Sequence, residues 1–217
     1  MKSYLSHLEC TYCGKSYSAS EPHRVCPACG KVLFARYDLD RLGREVRRER
    51  FASRPSNMWR FFELMPVLHP ENVITLGEGG TPLLEARNLA KALAVKSLYI
   101  KDEGVNPTAT FKARGLSAAI SKARELGFKK FAMPSAGNAA SATAAYCARG
   151  GLEAYVFMPQ DAPDANKKEC IAYGSQLTLV AGLIGDAGRV SKEKAAREGL
   201  FDVSTLQEPY RAEGKKT

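Results

Sequence analysis

From Lys96 onward the sequence alternates short runs rich in β-branched and aromatic residues with helical stretches that end in glycine. SLYIKD (97–102) reads as a strand, and 112–126 as a helix ended by Gly127. KKFAMP (129–134) reads as a strand, and the Ala-rich 138–149 as a helix ended by Gly150 and Gly151. EAYVFMP (153–159), QLTLVA (176–181) and LFDVS (200–204) supply further strands. Between them, 163–173 and 186–198 read as helices closed by Gly174 and Gly199. Strands separated by single helices of this length must pair in parallel through right-handed crossovers. The expectation is a doubly wound α/β layer, a parallel sheet flanked by helices, with ligands gathered at the carboxyl ends of its strands.

NPTATFKARG, Asn106 to Gly115, sets one lysine, Lys112, between an aromatic residue and a helix start. Such a lysine is either a solvated residue at a helix N-terminus or a reactive amine. At the mouth of an α/β sheet it can form a Schiff base with pyridoxal phosphate (PLP), provided that burial keeps part of the amine neutral. A second motif, PSAGNAA, Pro134 to Ala140, follows a strand and opens the next helix. A backbone nest and a helix dipole at that place would hold an anion. Ser135 offers a hydroxyl, Gly137 a close backbone approach and Asn138 an amide. Read alone, the same residues also suit an ordinary N-cap.

Four of the six cysteines, Cys10, Cys13, Cys26 and Cys29, form C-x2-C-x12-C-x2-C, and a glycine follows each pair (Gly14, Gly30). Two such knuckles converge four thiolates on a tetrahedral metal, and the glycines permit the tight turn round the sulfur. Zinc is expected, with iron the competing ion for the same ligands. With no open coordination position the metal would be structural. Two disulfides suit a chain without a secretory signal poorly. Cys147 and Cys170 read as buried apolar fillers.

The chain of 217 residues suits one or two domains with a real core. Lys and Arg outnumber Asp and Glu by 32 to 23, a net charge of +9. Only RLGREVRRER, Arg41 to Arg50, is a basic run, and acids interrupt it; Asp40 and Arg44 are spaced i,i+4. Asp38 to about Ala52 therefore reads as a solvated linker helix rather than a nucleic-acid face, and the mild excess suits anionic small molecules. MKSYLSHLEC has no apolar leader core, and no stretch reaches membrane-span length, so a cytoplasmic protein is expected. WRFFELMPVL, Trp59 to Leu68, stopped by Pro66 and Pro70, reads as an anchoring helix. GEGGTPLL, Gly77 to Leu84, is a Gly-rich loop without the ending of a nucleotide loop.

Taken together, these motifs resemble those of the PLP-dependent fold-type II enzymes, and of threonine synthases among them. Asn-Pro-Thr-x-Thr-Phe-Lys-x-Arg-Gly is similar to the family's PLP-lysine motif, and Ser-x-Gly-Asn to its asparagine loop. GEGGTPL is similar to the family's G-E-G-x-T-P-L segment, and EPYRAEGKKT, Glu208 to Thr217, to its Pro-x-Arg-x-Glu-Gly-x-Lys-Thr. The resemblance runs from the cysteine ribbon to Thr217. It departs at Thr110, where Ser is commoner, and at Ala113, where many relatives have Asp.

The resemblance implies a tryptophan synthase β-like fold. Residues 1–36 would be a zinc ribbon and 37–56 a charged linker helix. Residues 57–111 and 205–217 would be parts of a large domain, and 112–204 a small α/β domain. Lys112 would carry PLP, Asn138 would bind its phenolic oxygen, and Ser135 with the amides around Gly137 would take the substrate carboxylate. Arg211 would grip a substrate phosphate, unless it is an exposed tail residue; Lys101 is a weaker candidate. The implied reaction converts O-phospho-L-homoserine and water to L-threonine and phosphate. Other type II lyases (threonine/serine dehydratase, cysteate synthase), a non-catalytic ribbon protein and a split enzyme remain as alternatives. The family's glycine-rich cradle for the PLP phosphate falls beyond Thr217. The chain is therefore expected to be an N-terminal portion, inactive alone. It is expected to self-associate through Trp59, Phe61, Phe62 and Leu64, and to be complemented by a C-terminal half.

Overall fold

A computed structural model describes residues 1–217. The chain opens with an antiparallel three-stranded sheet of β1 (Leu5–Cys10), β2 (Ser16–Ser18) and β3 (Leu33–Tyr37), in the order β2-β1-β3. Its two knuckles fold alike. The Cys10 N–H donates to the Lys15 carbonyl and that of Cys26 to the Lys31 carbonyl, while Gly14 (φ 68°) and Gly30 (φ 70°) return N–H bonds to Cys10 and Cys26. Left-handed backbone at both positions explains the glycine after each cysteine pair.

The linker is two short helices, not the single one expected. In α1 (Leu39–Glu45) the Asp38 carboxylate accepts the Arg41 N–H as an N-cap. Val46 then turns extended (φ −124°, ψ 115°) and buries its β-branched side chain, which breaks the helix before α2 (Glu49–Ala52). The i,i+4 ion pair on α1 is Arg41–Glu45 rather than Asp40–Arg44. Met58–Leu64 is a 3-10 helix kinked at Phe61. Trp59 and Phe62 do not lack cover, as had been expected of them. They are buried with Met58, Met65 and Val67 against Ala118. A local concentration of exposed apolar side chains lies instead on β4 (Leu83–Glu85), α3 (Arg87–Ala92) and β5 (Tyr99–Lys101), with Leu83, Leu84, Leu89, Tyr99 and Ile100 all exposed.

The run at 97–102 contributes β5, but outside the parallel sheet. It pairs antiparallel with β4, Leu84 opposite Ile100, in a two-stranded ribbon of its own. The connection through α3 turns back on itself, and two 3-10 turns at Glu103–Val105 and Pro107–Ala109 then lead into α4 (Lys112–Glu125). The remaining chain alternates as expected: β6 (Lys130–Pro134), α5 (Asn138–Gly150), β7 (Glu153–Pro159), α6 (Asp164–Ala172), β8 (Gln176–Val180), α7 (Ile184–Glu198) and β9 (Phe201–Asp202). Its strands pair in parallel in the order β8-β7-β6-β9. No helix is long and apolar enough to cross a membrane.

Alternation along the strands serves both faces of this sheet. Phe131 and Met133 of β6, with Val156 and Met158 of β7, enter the main core with α4 and α5; Ala132, Tyr155 and Phe157 enter a second cluster with Ala187 and Ala195 of α7. Each large side chain buried in this way contributes roughly 1.5–3 kcal/mol. Alanines dominate α5 because it is covered on every side, with Ala139 to Cys147 all buried. Both α4 and α5 run back along β6, so each begins at the sheet's carboxyl edge.

Two interactions fix the approach to α4. Arg114 is buried and its guanidinium grips Glu103 through Nε (2.7 Å) and Nη2 (2.8 Å), while Glu103 also accepts from Thr81 and Asn106. The second is a glycine interlock between α4 and the short terminal helix α8 (Arg211–Gly214). A methyl on Gly214 would overlap the Arg114 carbonyl, and one on Gly115 would lie 2.9 Å from the Arg211 carbonyl oxygen.

Gly214→Ala should therefore lower the urea midpoint, at a loss of about 1–3 kcal/mol from overpacking against backbone. An unchanged midpoint would show that α8 is not seated on α4. The Arg114 pair, outweighing partial burial, holds the Glu103 carboxyl at about 2 against the usual 4.5. Between those values the unfolded chain binds more protons than the folded one, so this contribution is complete above pH 4.5 and is lost as pH falls toward 2. Glu103→Gln should cost about 2 kcal/mol at neutral pH and flatten the dependence of the urea midpoint on pH across that window.

Candidate active site

Lys112 is the first residue of α4, half-buried, with its amine 5.8 Å from the centroid of the Phe111 ring. Its backbone N–H reaches the Thr110 hydroxyl at 3.3 Å. The turn before it is strained: Thr108 (φ 59°) and Ala109 (φ 49°) both occupy the left-handed region, which non-glycine residues seldom adopt. The Thr108 hydroxyl is also buried without a partner. Nothing in NPTAT advertises these φ values, and Thr108 is not legible in the sequence.

The asparagine loop lies at the same sheet edge. Ser135 hangs from the end of β6, its N–H bonded to the Phe157 carbonyl, and its hydroxyl accepts the Gly137 N–H at 3.3 Å. Gly137 is the N-cap residue of α5, and no side chain caps the helix. Asn138 is its first residue and is exposed. Neither Ser135 nor Asn138 is an ordinary N-cap, so the positive end of a 13-residue helix and a free amide face outward together. That arrangement fits an anionic or hydrogen-bonding ligand. A groove of about 650 Å³ lies near by, between Leu76–Gly77, Asn106–Thr108 and the second half of α5, but neither Lys112 nor Asn138 lines it.

Arg211 is not an exposed tail residue. It is 4% exposed, its Nη1 donates to the Val203 carbonyl at 3.0 Å, and its Nε is buried without a partner. Burial lowers its pKa, opposed by Glu208 and Asp202. Glu208 is buried too. Burial pushes its carboxyl up to about 7, although it accepts the Tyr210 and Arg211 N–H groups. Lys215, from the same tail, was not singled out in the sequence. Its Cε approaches Gly115, and burial, then the charges of Arg211 and Lys112, lower its pKa. Lys101 instead donates to the Thr81 carbonyl.

The four ribbon cysteines converge. Their Sγ atoms all lie within 4.8 Å of one another, with Cys10–Cys29 at 3.5 Å and Cys13–Cys26 at 3.7 Å. Tetrahedral thiolates at about 2.3 Å from a zinc ion stand about 3.8 Å apart, so the donor set has the right size and chemistry for such a metal. The Tyr17 hydroxyl lies 3.1 Å from the Cys26 sulfur. Burial opposes ionisation of Cys26, but Tyr17 and backbone N–H groups outweigh it and draw the thiol down to about 6. Cys147 and Cys170 are fully buried in α5 and α6, and burial raises both.

Residues 74–217 match the family model described as "Pyridoxal-phosphate dependent enzyme". The threonine synthase of Methanocaldococcus jannaschii is 35% identical over 209 residues, and that of Methanosarcina acetivorans 32% identical over 212. The alignments cover 96% and 97% of this chain but 51% of each relative, so the chain spans about half their length. Among solved structures, maize serine racemase aligns with a TM-score of 0.56 at 26% identity, covering 62% of this chain and 41% of that one. The processed threonine deaminase isoform 2 of Solanum lycopersicum aligns with a TM-score of 0.56 at 28% identity, covering 62% and 37%. With Lys112 and Asn138 inside the matched segment and the parallel α/β layer shared with these structures, the chain belongs to the pyridoxal-phosphate dependent enzyme family.

Proposed function

We propose that this chain carries the lysine side of a threonine synthase active site, acting on O-phospho-L-homoserine. What supports the reading is that Lys112 opens α4 and Asn138 opens the uncapped α5, two helices packed on each other, in a chain one-third identical to threonine synthases. When bound, PLP supplies an electron sink for the pair left at the substrate Cα. Lys112 Nζ would hold the cofactor, and its flexible amine would move protons at the substrate Cα and Cβ, since one amine can reach both along one face. Asn138 would orient the cofactor ring by a hydrogen bond from its amide. Ser135 and the N–H groups at the start of α5 bind the carboxylate. Arg211 and Lys215 supply positive charge near Lys112 for the leaving phosphate. In this reading 57–111 and 205–217 belong to one domain and 112–204 to the other. The four cysteines hold a structural zinc, supported by their spacing and convergence.

The likeness to serine racemase and threonine deaminase favours a second reading, a lyase or isomerase of unphosphorylated hydroxy amino acids.

One experiment addresses both. After incubation with PLP, borohydride should fix a pyridoxyl group on Lys112, located by peptide mass mapping and absent in Lys112→Ala. O-phospho-L-homoserine added before the reductant should suppress the Lys112 label more strongly than L-serine does. Equal suppression would favour the second reading, and label spread evenly over surface lysines would defeat both. For the ribbon, elemental analysis should find about one zinc per chain, lost in the Cys26→Ser, Cys29→Ser double variant.

A further inference from the structure

We propose that the four-cysteine ribbon braces the segment 202–216, so that metal loading of the ribbon fixes the position of Arg211. The inference rests on the metal reading given above and goes beyond it, because a structural metal in an isolated knuckle pair would act on residues 8–34 alone.

Three observations tie the ribbon to that segment. Arg24, two residues before Cys26, reaches the buried carboxylate of Asp202 with Nη2 3.4 Å from Oδ2. The other Asp202 oxygen accepts the Ser204 N–H at 2.8 Å, where the tail leaves β9. Tyr37 closes β3. Its hydroxyl is buried near the Glu213 carboxylate, and the Lys216 amine sits 3.8 Å from its ring centroid. Finally, Leu8, Cys10, Cys26 and Leu33 of the ribbon belong to one continuous apolar cluster with Phe131, Phe201, Val203 and Tyr210. The ribbon thus grips the tail at both ends, at Asp202 and at Glu213–Lys216, with Arg211 between.

The tail has little means of ordering itself. Its regular structure is the two-residue β9 and the four-residue α8, both far too short to persist alone. The Arg211 hydrogen bonds, from its Nη1 to the Val203 carbonyl and from its N–H to Glu208, are made within the same segment; outside it, Arg211 is seated against Gly115 of α4. Small cysteine ribbons likewise depend on their metal for folding. Removing the metal should release Arg24 and Tyr37, and the tail should loosen with them. The sheet beyond, at β7 and β8, has its own ladder and should not.

Hydrogen exchange by mass spectrometry on the full chain tests this, with zinc content measured in parallel and peptides from 153–159 as the internal reference. Stripping zinc with a chelator under reducing conditions should speed exchange in 203–213 about ten-fold, not only in 8–34. Arg24→Ala should speed exchange in 203–213 while the chain keeps its zinc. If the stripped chain unfolds throughout, the Arg24→Ala comparison decides. Unchanged exchange in 203–213 when zinc is lost from a folded chain overturns the proposal, as does Arg24→Ala with full protection there. A chain that takes up no zinc defeats the metal reading, and the brace is then judged on Arg24→Ala alone.

Discussion

The carboxylate of Glu78, fully buried, joins segments that no regular element connects. Its Oε1 accepts from the Trp59 indole (2.9 Å) and its Oε2 from the Tyr146 hydroxyl (2.6 Å); the Thr75 hydroxyl and the Leu76 N–H complete the set. Trp59 lies on the 3-10 helix, Tyr146 in the middle of α5, and Glu78 in the Gly-rich loop. The same indole N–H also lies 3.0 Å from the Ser117 hydroxyl of α4. A buried carboxylate is tolerated only when its lone pairs are occupied, and here the buried Tyr146 hydroxyl depends on it in turn. That mutual dependence holds loop 75–81 against α4 and α5. The loop in turn carries Thr81, which with Asn106 and Arg114 surrounds Glu103 and so sets the turn that delivers Lys112.

The site is a consequence of helix direction. A strand followed by a single crossover helix places the helix start at the strand's carboxyl end, and α4 joins the same layer by running back into β6. Lys112 and Asn138, 26 positions apart in sequence, therefore begin two helices at one edge. Backbone strain at Thr108 and Ala109 is concentrated in the turn that aims the first of these helices. Such strain, a few kcal/mol at most, persists only where neighbours over-determine the fold. The bonds around Glu103 and Asn106 supply that constraint on one side and the packing of Pro107–Ala109 against α5 on the other.

The parallel layer was legible in the sequence because hydrophobic period and glycine stops agreed at every element from 112 onward. The cysteine spacing and its glycines were legible for a similar reason: chemistry and backbone conformation demand the same residues. Where tertiary contacts decide, the reading failed. Val46 breaks a helix by burying itself, which the charged run around it does not foretell. The strand at 99–101 obeys a local pattern but takes its partner from 83–85 rather than from the parallel sheet. Trp59 and Phe62 looked uncovered because Ala118, which receives them, is small and unmarked in the sequence. Glu78, Glu103 and Arg114 are ordinary charges by sequence, and only their burial makes them the framework of the site.

Arg211 shows how far a motif and its setting can differ in emphasis. At the tail, Arg24 of the ribbon and Arg211 face Asp202 and Glu208, two cations against two carboxylates, but burial pushes Glu208 up to about 7. Burial disfavours the ionised form of Glu208, which weakens its compensation of Arg211. Lys215 adds an amine near Arg211 and Lys112, and burial, then the charges of those two groups, lower its pKa. A buried guanidinium with an unpartnered Nε beside two amines is electrostatically unfinished. An anionic group brought to that side would satisfy the free donor and offset the like charges at once.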